Sequence, residues 1–321
     1  MSIVRLPLEL ALLAIGVPGV VGAIELQRST LNAWDDYIQS ADKRIQARLD
    51  GRRPFLWIDE EAGRRDRLRR GEVIVAPVVG HGTQPVPNGL IHDWIGAVFI
   101  PNATLERLFA VVHDYDRYKD VYRPVVANSK VLACSDADQR FSMIWQHKIL
   151  FVNAAMDAEY QAHDSVDGRR GYNIASTIRV REIQSFGQSD EHLMPPDEGN
   201  GFMWRVHSIA RYEERDGGVY LELEAIALTR DIPASLRWLV DPVVHHLSIN
   251  SLTTTLRQTR DAVTSLEARP ERIASCAERS RNVGISNSNP EEERKGSISF
   301  VSEVAGCGAQ RSSMCRPGNR P

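Results

Sequence analysis

The run 231–266, DIPASLRWLVDPVVHHLSINSLTTTLRQTRDAVTSL, constrains this chain more than any other stretch. Pro233 suits the first turn of a helix, where its missing N–H is not needed. Leu236, Leu239, Val240, Val243, Val244, Leu247, Leu252 and Leu256 then recur at three- and four-residue spacing, which marks a helix with one buried face. Pro242 falls inside the run and predicts a kink or a break there. From Leu90 up to this run the sequence alternates with the strand period. One long helix must therefore cover one sheet, and the open question is whether the space between them is filled or hollow.

The alternation delimits strands over 90–100, 125–133, 140–151, 152–162, 171–183, 201–214 and 218–229. A helix over 104–113, with Asn102 as its N-cap, and a short helix over 114–122 closed by Pro124 separate the first strand from the second. Asp216-Gly217-Gly218 signals a tight hairpin, and such short links join antiparallel neighbours. One face collects Phe141, Met143, Trp145, His147, Ile149 and Phe151, then Phe202, Trp204, Val206, Ser208, Ala210 and Tyr212, then Val219, Leu221, Leu223, Ala225 and Ala227. The other collects Arg205, His207 and Arg211 beside Tyr220, Glu222 and Glu224, which reads as a ladder of cross-strand ion pairs facing solvent. The layout is α+β, a sheet covered on one side by the final helix.

The flanks read differently. Residues 1–23 follow Arg5 with an apolar run and end near Val21-Gly22-Ala23, the pattern of a signal peptide. The pattern favours export to a periplasmic or secreted location; an uncleaved membrane anchor and a buried helix are the alternatives. Residues 24–76 make a helical extension: an amphipathic helix over 26–49 presents Leu31, Trp34, Tyr37, Ile38, Ala41, Ile45 and Leu49, and a second, shorter helix carries RRDRLRR. That basic run invites an anionic partner such as a membrane surface, but Asp59, Glu60 and Glu61 beside it favour a solvated, self-paired helix face. Residues 77–89 have the Pro and Gly content of a linker, and 268–321 the polar composition of a disordered tail. Cys134, Cys276, Cys307 and Cys315 lack metal-site spacing; in an exported protein Cys307 and Cys315 are placed to pair. A net charge of −3 gives no case for nucleic acid. No dinucleotide, P-loop or GxSxG motif is present, so no cofactor is expected.

IPNATLERLFAVVHDYDRYKDVYRPV, ERDGGVYLELEAIAL and DIPASLRWLVDPVV followed by LTTTLRQTR together resemble the START-like (SRPBCC) superfamily, and look most like its coenzyme Q-binding and polyketide cyclase-like branches. The resemblance covers about residues 90–267. It implies a helix-grip fold, with a curved antiparallel sheet wrapped around the last helix, and a hydrophobic small-molecule ligand such as a lipid, quinone or polyketide held between them. Candidate ligand contacts are Met143, Trp145, His147, Met156, Tyr160, Tyr172, Ser176, Trp204, Ser208 and Leu223 on the sheet, with Ser251 and Thr255 on the helix. Within 248–255 (SINSLTTT) small polar residues stand where a filled core would carry Leu or Ile. No convincing catalytic set accompanies them. An enzyme of cyclase or dehydratase type would rest on His147 with a cavity tyrosine; a structural or partner-binding module would rest on the amphipathic helix of the extension. His113 with Asp114 and Asp116 is a weak metal motif.

Overall fold

The computed structural model describes residues 24–135, 137–149, 152–231 and 234–266; the side chains of 148, 149, 152, 153 and 234–244 are outside the description. The signal-like segment, the tail, three of the four cysteines and the apolar positions Leu236–Val244 of the final helix therefore lie outside the described residues or side chains.

The chain runs β1 (Ile24–Glu25), α1 (Arg28–Leu49), a 3-10 turn (Trp57–Glu60), α2 (Arg64–Arg69), β2 (Ile74–Pro77), β3 (Thr83–Val86) and β4 (Gly89–Pro101). Next come α3 (Leu105–Val112), a 3-10 turn (Tyr115–Arg117) and α4 (Tyr118–Val121). Strands β5 (Val126–Cys134), β6 (Asp138–Ile149), β7 (Val152–Asp167), β8 (Arg170–Gln184), β9 (His192–Leu193), β10 (Glu198–Gly199), β11 (Arg205–Arg215) and β12 (Gly218–Arg230) follow, and α5 (Ala234–Leu266) ends the described chain. The main sheet is ordered β2-β4-β12-β11-β8-β7-β6-β5, with β3 on β4 and β9 on β8. Its pairings are antiparallel. First and last long strands are neighbours, so β4 must reach β5 across the full width, and α3, α4 and the turn between them make that crossing.

Several expectations are met closely. Asp216 and Gly217 take positive φ (55° and 79°), and the β11–β12 hairpin is built on them. Other details differ: a kink or break is expected at Pro242, but helix α5 runs unbroken through it. Leu252, Leu256 and Val263 seat it on Trp94, Val98, Ile100, Val219 and Leu221. Gly96 makes the close approach possible: a Cβ there would stand 2.7 Å from Leu256 Cδ1 and 3.0 Å from Leu252 Cγ. The N-cap of α3 is Thr104, whose hydroxyl accepts from Arg107 N, rather than Asn102, which takes a φ of 59°. The expected linker contains β3 and ends at β4, so these residues extend the sheet instead of joining two bodies.

The largest correction concerns the other face. The ladder of Arg211, Glu222 and Glu224 is not solvent-facing; the N-terminal extension covers it. Trp34, Tyr37, Ala41 and Ile45 of α1 pack on Ile91, Ile209, Ile226 and Leu228, and Leu56, Trp57, Ile58 and Leu68 pack on Ile95, Ala97, Phe99 and Tyr220. Between these apolar patches lies a closed ionic network. Arg211 is 1% exposed and Glu222 is fully buried, with Arg211 Nε 3.0 Å from Glu222 Oε2. The Glu222 carboxylate also accepts from the backbone N–H of Trp57 and Ile58 at 3.0 and 2.8 Å. Arg44 of α1 bridges Asp93 at 2.9 Å and Glu224 at 2.8 Å, and Tyr37 donates to Asp93 at 2.7 Å. Buried charges survive only when partners replace water, and here α1 and the first 3-10 turn bring them. The basic run of α2 is self-paired as expected, Arg64 with Glu61 and Arg67 with Glu72.

Candidate functional site

The two faces of the central strands are sealed to different degrees. On β11 and β12 the residues under α1 (His207, Ile209, Arg211, Glu222, Glu224, Ile226 and Leu228) are buried. On the α5 side Tyr212, Val219 and Leu221 near the hairpin are buried too, but farther along the strands Val206, Ser208, Ala210, Leu223, Ala225 and Ala227 are only half-buried. A packed core would give the reverse order, with the helix-covered apolar face the drier one.

Register shows which groups line this face. One row across the sheet reads Trp94, Ala225, Ser208, Ala175, Ala162 and Gln139 from β4 to β6; the next reads Gly96, Leu223, Ala210, Asn173 and Asp164. Small side chains occupy most of the central positions; Leu252 and Leu256 close over Gly96, and Ala162, Ala175 and Gln139 are buried, so the incompletely covered groups of these rows are Ala225, Ser208, Leu223, Ala210 and Asn173. Beyond them stands an aromatic wall, in which Tyr115 stacks on Phe141 at 4.2 Å and Phe141 on Tyr160 at 4.9 Å. Tyr122 of the α4 C-cap meets Thr259 of α5 at 3.1 Å, tying the short helices to the long one.

Of the expected ligand contacts, Met143, Trp145 and His147 on β6 and Met156 and Tyr160 on β7 share the α5-side face. Ser208 and Leu223 belong to the half-buried rows, and Ser251 and Thr255 are half-buried on α5. Three are misplaced. Tyr172 and Ser176 pair in register with Arg211 and His207, so the two-residue period puts them on the α1 side. Ser176 Oγ bonds His207 Nδ1 at 2.8 Å. Trp204 precedes β11, lies over Gly201 (φ 71°) and packs with Trp34 and Ile209 under α1.

His147 is half-buried, with its ring 6.3 Å from Trp145. Burial lowers its pKa, which keeps the imidazole neutral. Among the described residues it has no side-chain hydrogen bond. Tyr160, a tyrosine on the same face, is pushed well up by burial and holds its proton.

A polar group that the sequence did not disclose closes the second row. Asp164 Oδ1 accepts from the Tyr212 hydroxyl at 3.0 Å and meets His113 Nε2 at 3.2 Å. Phe109 stacks on the His113 ring at 5.0 Å and meets the Tyr212 ring edge-on at 5.0 Å, fixing both. Burial would raise the Asp164 pKa, but hydrogen bonds from His113 and Tyr212, the His113 charge and the neighbouring Asn173 amide hold it below the usual carboxylate value. His113 is thereby committed to Asp164, and among the described residues no cluster of His, Cys, Asp and Glu could hold a metal.

No family model matches the chain, and no curated protein matches it. Among solved structures it is similar to a STAR-related lipid transfer protein fragment from Xanthomonas axonopodis, with 16% identity over 57% of this chain and 99% of that one and a TM-score of 0.38. It is similar to human STARD10, with 8% identity over 60% of this chain and 78% of that one and a TM-score of 0.37. The Zhui aromatase/cyclase from Streptomyces sp. R1128 is a third, with 13% identity over 56% and 97% and a TM-score of 0.33. At these identities the site must be read from this chain's own geometry.

Proposed function

We propose that this protein binds and carries a hydrophobic small molecule in the space between the sheet and α5. The observation that carries this reading is the half-buried apolar row on the helix-covered face: Val206, Ala210, Leu223, Ala225 and Ala227 keep accessible surface inside the fold. Leaving such surface wet costs about 25 cal/mol per Å², and an apolar guest recovers it. The aromatic stack and Met143 and Met156 add a wall suited to ring or chain contacts. A catalytic role has weaker support, because His147 lacks a proton partner among the described residues and the buried tyrosines are held protonated. Export through residues 1–23 is part of the same proposal and rests on the sequence pattern alone. Among the described residues no helix is long and apolar enough to cross a membrane.

Native mass spectrometry of protein purified without detergent tests the carrier function. The expected result is an added small-molecule mass that organic extraction removes. A bare chain mass, together with no uptake of an added apolar fluorophore, would refute it.

A further inference from the structure

Resting on the carrier reading, we infer that Asp164 is the polar contact for the guest, and that the guest presents a hydrogen-bond donor, a hydroxyl or protonated amine, rather than an anionic head. Asp164 is 8% exposed and follows Ala158, Tyr160 and Ala162 on the α5-side face of β7. It ends the row that runs through Leu223, Ala210 and Asn173, so it stands where the small-residue floor stops. Tyr212 and His113 both address Oδ1. Oδ2 is buried and, among the described residues, makes no hydrogen bond; Asn173, directly across on β8, helps hold the carboxyl below its usual pKa. A buried carboxylate oxygen left open is costly, and a donor supplied by the guest would satisfy it. A carboxylate or phosphate in the same place would offer Oδ2 no donor and set one acceptor against another in a dry setting, so the same residue disfavours anionic lipids.

The test uses the full chain and two fluorescent probes of one skeleton, pyrenebutanol and pyrenebutyrate, titrated at neutral pH. The wild-type protein should bind the alcohol about tenfold or more tightly than the acid. Asp164→Asn should bring the two within about threefold, chiefly by admitting the acid. An aminobutyl analogue shows which donor is preferred. Equal binding by the wild type, or a preference that survives Asp164→Asn, overturns the inference and leaves the carrier reading standing. If none of the probes binds, both fall. Should the Asn variant fail to fold, the wild-type comparison decides alone.

Discussion

The α1 side and the α5 side of this sheet share the same strands and differ in how they are closed. The α1 side is closed by charge: Arg44, Asp93, Glu224, Arg211 and Glu222 pair with one another beneath the N-terminal extension. The α5 side is apolar, aromatic and small, and it stays partly open. The comparison teaches that the hydrophobic face of a sheet need not be its driest. Burial follows from what covers a face and how tightly, and here the extension seals its side while α5 bridges its own. A sealed backing holds the strands in place where their opposite face is less completely covered.

Breaking the sealed side should cost most. Arg211→Met leaves Glu222 and Glu224 buried without their shared cation, and should lower unfolding free energy in urea by about 3–5 kcal/mol. Probe affinity in the surviving folded fraction should not change. A loss below about 1 kcal/mol would mean the network is better hydrated than its geometry shows.

Acid should act next. Burial lowers His207 to about 4, with Glu224 raising and Arg44 lowering it, and burial lowers His92 to about 4. Each is neutral in the folded protein while its unfolded counterpart takes a proton near pH 6.5, so their stabilisation is present above that value and is lost as pH falls toward 4. Asp93 has the opposite sign: burial and Glu224 push it up to about 7, so its proton favours the fold at lower pH, and that benefit fades as pH rises from about 4 to 7. The difference between wild type and a variant isolates one group. His207→Asn should flatten the fall in stability between pH 7 and 4.5 by on the order of 2–3 kcal/mol, read from urea midpoints at several pH values. An unchanged slope would remove His207 from the account.

Much of this fold was legible because period-two alternation is a direct record of which side of a strand is covered. The seven long strands follow from it, while the β11–β12 turn was marked by Asp216-Gly217-Gly218 and α1 by the three-to-four spacing of its apolar residues. The sealed face was misread because Arg and Glu on one strand face ordinarily mean water. Two signals pointed the other way. Strand β4 is apolar on both faces, Ile91, Ile95 and Phe99 on one and Trp94, Val98 and Ile100 on the other, as a strand covered twice must be. And α1 carries Arg44 and Arg48 along the margin of its apolar stripe, where they reach carboxylates of the sheet and the following turn. The Asp164 group could not be read, since its partners lie 51 and 48 residues away. Only its phase, in line with Ala158, Tyr160 and Ala162, marked a carboxylate on an apolar face.

The most direct measurement compares one added side chain on each face. Ala41 of α1 is fully buried against the sheet, whereas Ala225 of β12 is half-buried on the opposite side. Ala41→Leu should lower unfolding free energy by about 1–3 kcal/mol through overpacking, while Ala225→Leu should change it by less than about 0.5 kcal/mol. Ala225→Leu should also weaken uptake of an apolar probe, and Ala41→Leu should not. An Ala225→Leu penalty as large as that of Ala41→Leu, with no bound guest to displace, would mean the α5 side is filled, and the carrier account would be wrong.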